Sequence, residues 1–259
     1  MTIDAPTTAR LELESVSVRF GGLLALNDVS FSVHTNEIVG LIGPNGAGKT
    51  TAFNVACGFV KPTSGAVTFP ASGHSSLKPH QLVRARVART LQGVGLFSHM
   101  SVLENVMAGA QSRHSGNFFT DLIGLPGGAR RERELSAQAL EIMDRLGVAS
   151  FARQAPTAIP YGIAKKVSVA RALMSEPELL LLDEPASGLD ENELDEFSAL
   201  IVSLRSRMGV LLVEHNMEFV MPLVDRLVVL NFGEVIATGT PSEIHENPDV
   251  LAAYLGVDE

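Results

Sequence analysis

The chain is short of the things that would place it outside a cell, on nucleic acid or through a membrane. Cys57 is its one cysteine. No disulfide can form within the chain, which fits a reducing compartment, and Cys57 itself reads as a small apolar residue on a helix. Positive charge is scarce: 20 Lys and Arg stand against 29 Asp and Glu, for a net charge of −9. That excludes a general basic footprint for nucleic acid, and the acidic balance speaks to solubility rather than fold. Long apolar runs are missing too. The stretches at 178–182 and 209–213 fall far short of the ~18 residues of a membrane helix. The opening MTIDAPTTARLELE has no apolar signal core. A chain that does not span a membrane is expected. No internal repeat or low-complexity tract appears. What remains is 259 residues at 46% hydrophobic, suited to one large domain, or one with a subdomain, around a substantial core.

The organising stretch is Gly43-Pro44-Asn45-Gly46-Ala47-Gly48-Lys49-Thr50-Thr51. It fits G-x-x-x-x-G-K-[ST], the phosphate-binding loop. Ile38 to Ile42 before it is a short apolar run of the buried-strand kind. After it, Phe53, Ala56 and Val60 recur at helical spacing from Thr51 to Val60. Strand, loop and helix are the context this chemistry needs. The glycines let successive N–H groups turn toward anionic oxygens. The helix start adds partial positive charge. Lys49 brings a mobile full charge to the outer phosphates, and the Thr50 hydroxyl can ligate Mg²⁺.

Around this stretch the pattern predicts an α/β architecture. Residues 1–9 read as a disordered tail. From Ala9 to Phe20, Leu11 and Leu13 alternate with Glu12 and Glu14, then slip phase to Val16, Val18 and Phe20, a strand with a bulge or break. Gly21-Gly22 makes a turn, and Val29, Phe31 and Val33 mark a second half-buried strand. Val67 and Phe69 belong to a third. Residues 81–90, with Arg84, Arg86 and Arg89, predict a short helix. A further helix is expected over 102–108, and a loop with one apolar turn, holding Phe118, Phe119, Leu122 and Ile123, over 111–130. Leu135, Ala139, Ile142, Met143 and Leu146 form an amphipathic helix stopped by Gly147. Residues 93–162 therefore predict a helical subdomain inserted into an α/β core of 10–92 and 163–240, with closing helices over 241–256. Asp190 with Glu193, and Thr240-Pro241-Ser242-Glu243, are helix-start pairs.

Leu179 to Leu182 is a continuous apolar strand that ends in Asp183-Glu184. Two carboxylates at the C-terminal end of a strand lie where open α/β sheets bind ligands. Asp183 is placed to hold Mg²⁺, and Glu184 to orient and deprotonate an attacking water. Gln92 is a candidate for contact with the metal and that water. His215, just past the apolar strand 210–213, is a candidate for the γ-phosphate.

Phosphate loop, Gln92, an insert, Ile159-Pro160-Tyr161-Gly162, the 179–184 strand, Ser187-Gly188-Leu189-Asp190 and His215 follow one another in the order of an ABC transporter ATPase subunit. The resemblance runs from Leu11 to Gly256. It implies a P-loop NTPase core with a mostly parallel sheet, an antiparallel β subdomain and the inserted helical subdomain. It further implies that ATP and Mg²⁺ are bound, that Phe20 stacks on adenine, and that Tyr161, Gly162 and Asp190 act at the nucleotide. Arg19-Phe20-Gly21-Gly22, Ala88 to Gln92, Pro160-Tyr161-Gly162, Glu214 to Met217 and Gly239-Thr240-Pro241 resemble the branched-chain amino acid importer ATPases, with importers of urea and short amides close by. Such complexes pair two ATPase subunits, alike or different, with two permeases and an external solute-binding protein. This subunit would be peripheral, on the cytoplasmic face of the membrane. A soluble ABC machine for DNA repair or translation fits poorly, since there is one cassette, no sustained heptad run and no basic patch.

One departure stands out. ABC signatures generally read L-S-G-G-Q, and the branched-chain type L-P-Y-G-Q, whereas this chain has Ile159-Pro160-Tyr161-Gly162-Ile163. Pro160 removes a hydroxyl and Ile163 an amide. The Gly162 backbone and the helix start remain, with Lys165 and Lys166 in the first turn expected to favour an anion. The alternative reading that follows is a weakly hydrolysing regulatory or structural subunit of such a complex. The permease is expected near Leu96, Phe97 and Met100, an apolar group in a Gly- and Ser-rich segment, with Val102 in the insert's core.

Overall fold

The computed structural model describes residues 8–90, 93–113 and 126–255. Two sheets share the work. The smaller is antiparallel in the order β2-β1-β4-β5, from β1 (Ala9–Phe20), β2 (Leu23–His34), β4 (Ser64–Phe69) and β5 (His74–Ser75). The phase slip in β1 is a bulge. Its pairing shifts between Leu13 and Val16, with Ser15 at φ 49°, so Leu11, Leu13, Val16 and Val18 all face inward. Pairing starts at Ala9 opposite His34, and the Thr8 carbonyl accepts from the Thr35 N–H. Residues 1–7 of the expected tail lie outside the described residues.

The larger sheet has the order β10-β9-β3-β8-β7-β6. It comprises β3 (Ile38–Ile42), β6 (Val87–Arg89), β7 (Leu179–Asp183), β8 (Gly209–Val213), β9 (Arg226–Asn231) and β10 (Glu234–Gly239). All its pairs are parallel except β9 with β10, the closing hairpin. Its central strands are near-continuously apolar because both faces are covered. Leu180, Leu182, Val210 and Leu212 point into one core, while Leu179, Leu181, Leu211 and Val213 point into the other.

Two local expectations are corrected. Residues 81–90 are helical only as far as Ala85, and the rest does not continue the helix. Pro79–Ala85 is a 3-10 helix that Arg86 ends at φ 56°, and the chain then enters β6, with Val87, Ala88 and Arg89 opposite Leu179, Leu180 and Leu181. The local run of residues around the three arginines carries no information about a partner strand some ninety residues on. The helix after the phosphate loop, α1 (Lys49–Ala56), stops short of Val60. Gly58 turns at φ +71°, where a Cβ would sit 1.9 Å from the Leu77 carbonyl oxygen.

The remaining α-helices among the described residues are α2 (Val102–Met107), α3 (Pro126–Arg145), α4 (Tyr161–Leu173), α5 (Glu191–Arg205), α6 (Met217–Val220), α7 (Pro241–His245) and α8 (Pro248–Leu255). The predicted amphipathic helix is α3, whose Ala139, Ile142 and Met143 are buried. Gly147, at φ +71°, lets the Val148 N–H return to the Met143 carbonyl at 2.8 Å. The capping boxes at Asp190/Glu193 and Thr240/Glu243 are both formed. The apolar turn expected at Phe118, Phe119, Leu122 and Ile123 lies outside the described residues. Among the described residues no helix is long and apolar enough to cross a membrane.

Candidate functional site

The strands β3, β8 and β7 are neighbours and run the same way. Their C-terminal ends therefore deliver three segments to one edge: Gly43 to Thr51, Glu214-His215, and Asp183-Glu184. The phosphate loop has the geometry its glycines predict. Gly43 lies at φ +149°, and a Cβ there would come within 2.1 Å of the Leu230 carbonyl oxygen. Gly48 lies at φ +102°, with Ala25's carbonyl oxygen 2.8 Å from such a Cβ. Gly46 turns at φ +81°. The Ala47 N–H closes back on the Pro44 carbonyl at 3.2 Å, with Asn45 exposed beside it. Lys49 is buried, and its Nζ donates to the carbonyls of Gly43 (2.7 Å) and Pro44 (2.9 Å). Burial pushes its pKa down, and the Glu184 charge opposes that shift. Thr50 is exposed in the first turn of α1 and Thr51 is half-buried.

Asp183 closes the β7–β8 ladder opposite Val213. Its carboxyl is pushed above the ordinary range, first by burial, then by the Glu184 charge, with Arg89 opposing and Glu214 adding a smaller push. A carboxylate held against such a field is one that a hard cation would relieve. Among the described residues no cluster of three or more His, Cys, Asp or Glu could hold a metal. Mg²⁺ keeps waters and substrate phosphates and takes one or two protein ligands, which a carboxylate such as Asp183 could supply. Glu184 sits at φ 45°, with its N–H bonded to the Val213 carbonyl at 3.0 Å. Its Oε1 is 3.9 Å from Nδ1 of the largely exposed His215. Gln92 lies outside the described residues.

Beneath these groups lies a pair that the sequence pattern does not single out. Glu214 is fully buried, and its carboxylate accepts from the N–H groups of Ala186 (2.7 Å), His215 (3.1 Å) and Asn216 (3.4 Å). Lys165, on α4, is 6% exposed, and its Nζ donates to the carbonyls of Pro185 (2.7 Å) and Glu184 (3.3 Å). This corrects the expectation that Lys165 and Lys166 both serve an outside anion. Lys165 points inward, and Lys166 pairs with Glu196. The sole sequence signal was a charged residue ending the apolar run of β8.

The signature opens α4, with Pro160 before Tyr161 as its N-cap residue. The Gly162 N–H donates to Oε1 of Glu193 at 3.2 Å, so a carboxylate of the same chain already occupies this donor. The other oxygen of Glu193 accepts from the Asp190 N–H, and Asp190 accepts from the Glu193 N–H. Tyr161 is partly exposed against Gly188, where a Cβ would meet its ring at 2.9 Å. Ile163 packs, half-buried, on the core. Phe20 is 51% exposed at the tip of the β1–β2 hairpin, the same hairpin whose Ala25 abuts Gly48.

Phe97 is 46% exposed and lines a cavity of about 410 Å³ with Leu82, Val83, Val87, Arg89 and Arg171 among its walls. Leu96 instead packs on the core, and neither it nor Met100 lines this cavity. Val102 is fully buried. The segment is pinned by Asn105, itself buried. Its Oδ1 accepts from the Phe97 N–H at 2.7 Å, and its Nδ2 donates to the carbonyls of Phe97, Met100 and Ser101.

A profile of the ABC transporter family matches residues 26–187, and one of the branched-chain amino acid ATP-binding cassette transporter matches residues 234–259. The chain is 43% identical over 249 residues to the high-affinity branched-chain amino acid transport ATP-binding protein BraF of Pseudomonas aeruginosa, spanning 95% of this chain and 97% of that protein. A crystal structure of a nucleotide-free ATP-binding cassette from an ABC transporter superposes with a TM-score of 0.83 at 27% identity, over 96% of this chain and 100% of the other. A dimeric bacterial ABC transporter cassette superposes with a TM-score of 0.73 at 25% identity, over 89% and 98%.

Proposed function

The chain belongs to the ABC transporter ATP-binding family, and from that premise we propose that it hydrolyses ATP to power an importer of branched-chain or related amino acids. The observation that carries the reading is the meeting of Lys49, Asp183, Glu184 and His215 at the ends of three adjacent parallel strands. The solute class rests on the likeness to BraF and on the match over residues 234–259.

The phosphates of ATP take the N–H groups of residues 43–51, with Lys49 released from its carbonyls to the outer phosphates. Phe20 stacks on the adenine. Thr50, Asp183 and Gln92 would hold Mg²⁺, which supplies charge neutralisation at the phosphates. Glu184 orients a water and takes its proton as the water attacks the γ-phosphorus in line, while the bond to the β–γ bridging oxygen breaks and ADP and inorganic phosphate leave. His215, beside Glu184, binds the γ-phosphate oxygens. A second ATPase subunit closes over the site with its own Tyr161, Gly162 and Asp190 positions, as the dimeric form of a related cassette suggests. At that moment a γ-phosphate displaces Glu193 from the Gly162 N–H. The groove at Phe97 takes the permease, so closure and reopening reach the transport path from the cytoplasmic face. The solute itself is read by the permease and an external binding protein.

The test is uptake of leucine, isoleucine and valine, with urea and acetamide alongside, into vesicles holding the chain with the permeases it co-purifies with. ATP-dependent uptake that Lys49→Ala abolishes supports the reading. Hydrolysis without uptake of any of these solutes overturns the solute class, and absence of hydrolysis overturns the enzyme.

A further inference from the structure

Between the signature helix and the edge that carries Glu184 and His215 lie two buried opposite charges, Lys165 and Glu214. Their side chains bond to the backbone of the two segments bearing those groups. Lys165 grips the segment after β7 from one side, through the carbonyls of Glu184 and Pro185. Glu214 grips it from the other, through the Ala186 N–H, and with its second oxygen holds the N–H groups of His215 and Asn216. Tyr161 covers Lys165, with its ring centroid 5.5 Å from Nζ.

Burying two charges is a poor way to gain stability, because desolvation offsets most of the attraction. Burial lowers the Lys165 pKa, with the Glu214 and Glu184 charges opposing. What the pair does well is fix backbone. Glu184 needs that help, for it stands at φ 45°, a conformation a non-glycine residue holds only when its surroundings impose it.

We propose that Lys165 and Glu214 are positioning residues that clamp the 184–186 and 214–216 segments, so that the Glu184 carboxylate and the His215 ring stand ready for attack on ATP. Lys165 also makes the signature helix and the segment of Glu184 one body. Movement of α4 against a neighbouring subunit's nucleotide therefore pulls on the carbonyl of this subunit's own Glu184. The inference rests on the ATPase reading above.

The experiment uses the full-length chain and compares Lys165→Met, Lys165→Arg and Glu214→Gln. It reads equilibrium affinity for Mg-ATP, steady-state kcat, and trapping of Mg-ADP by orthovanadate, which requires the transition-state arrangement. Misplacing a reacting group by about 1 Å costs on the order of 10²-fold. Lys165→Met is expected to bind ATP within about 3-fold of the unaltered chain, lose at least ~10-fold in kcat, and fail to trap. Lys165→Arg, which keeps donors for the two carbonyls, recovers most of the turnover. Glu214→Gln, which puts an N–H₂ where a backbone N–H needs an acceptor, behaves like Lys165→Met.

Unchanged turnover and trapping in Lys165→Met or in Glu214→Gln overturns the proposal. So does an equal fall of affinity and turnover that Lys165→Arg fails to relieve, the mark of a merely structural role. Should Lys165→Met not fold, the isosteric Glu214→Gln decides alone, and full turnover in it overturns the clamp. Absence of turnover in the unaltered chain is a separate result, which overturns the ATPase reading and the clamp with it.

Discussion

Truncating Phe97 separates a docking surface from a core. Its ring is 46% exposed, so roughly half of the 1.5–3 kcal/mol for a fully buried large side chain is at stake, about 0.8–1.5 kcal/mol. The Arg171 guanidinium lies 5.8 Å from the ring centroid, and losing that contact adds about 0.5 kcal/mol. The bonds to Asn105 are made by the Phe97 backbone and survive the change. Phe97→Ala should therefore cost about 1.3–2 kcal/mol, against ~3–5 for a core phenylalanine. For a domain of this size that is a melting shift of roughly 3–8 °C. Soluble ATPase activity should stay near that of the unaltered chain, while uptake in the permease complex falls and no longer tracks hydrolysis. Calorimetry of the subunit and parallel hydrolysis and uptake assays in vesicles decide it. A melting drop beyond about 10 °C places Phe97 in the core. Intact coupling with a normal melt removes the groove from the transport path.

Glu184→Gln should keep ATP binding, cut turnover by at least ~10²-fold and accumulate an ATP-bound dimer on size exclusion, while Lys49→Ala should weaken nucleotide binding itself. Wild-type turnover in Glu184→Gln removes Glu184 from the mechanism. Ile163→Gln restores the family's usual residue and should leave ATP-dependent dimerisation level or stronger. Clearly poorer dimerisation by a folded variant shows that Ile163, half-buried on the core, belongs to a locally rewired interface. Asp183→Asn should raise the melting temperature of the metal-free chain at pH 7 while abolishing turnover. The Asp183 pKa is raised by folding from 3.8, so its contribution is favourable below that value and is lost as pH rises through the folded pKa. The gain from Asn should vanish below about pH 4, and a lower melting temperature at pH 7 refutes the argument.

Much of the site was legible in the residues themselves. The phosphate loop, the Asp183-Glu184 strand end and the capping boxes are local: a few consecutive residues carry the turn, the charge and the cap together. The β1 bulge could be read because a slipped register leaves a slipped alternation, Leu13 to Val16. Strand β6 could not, because three residues beside Arg86 acquire strand geometry only by pairing with Leu179 to Leu181.

Residue order alone set the succession of chemistry along the chain, the two-sided apolar strands and the points where loops must be glycine. Each depends on neighbours one to four residues away. The destinations of the polar side chains came instead from the packed fold. Helical spacing puts Lys165 in the first turns of α4 and says nothing of which way it reaches. Packing α4 against the end of β7 turned it inward to Glu184 and Pro185. In the same way the end of β8 buried Glu214 against Ala186, and Gly162 met Glu193 from another helix. A buried polar group must find partners wherever the fold leaves them, and those partners are fixed by strand order in the sheet and by helix packing, which no local window contains.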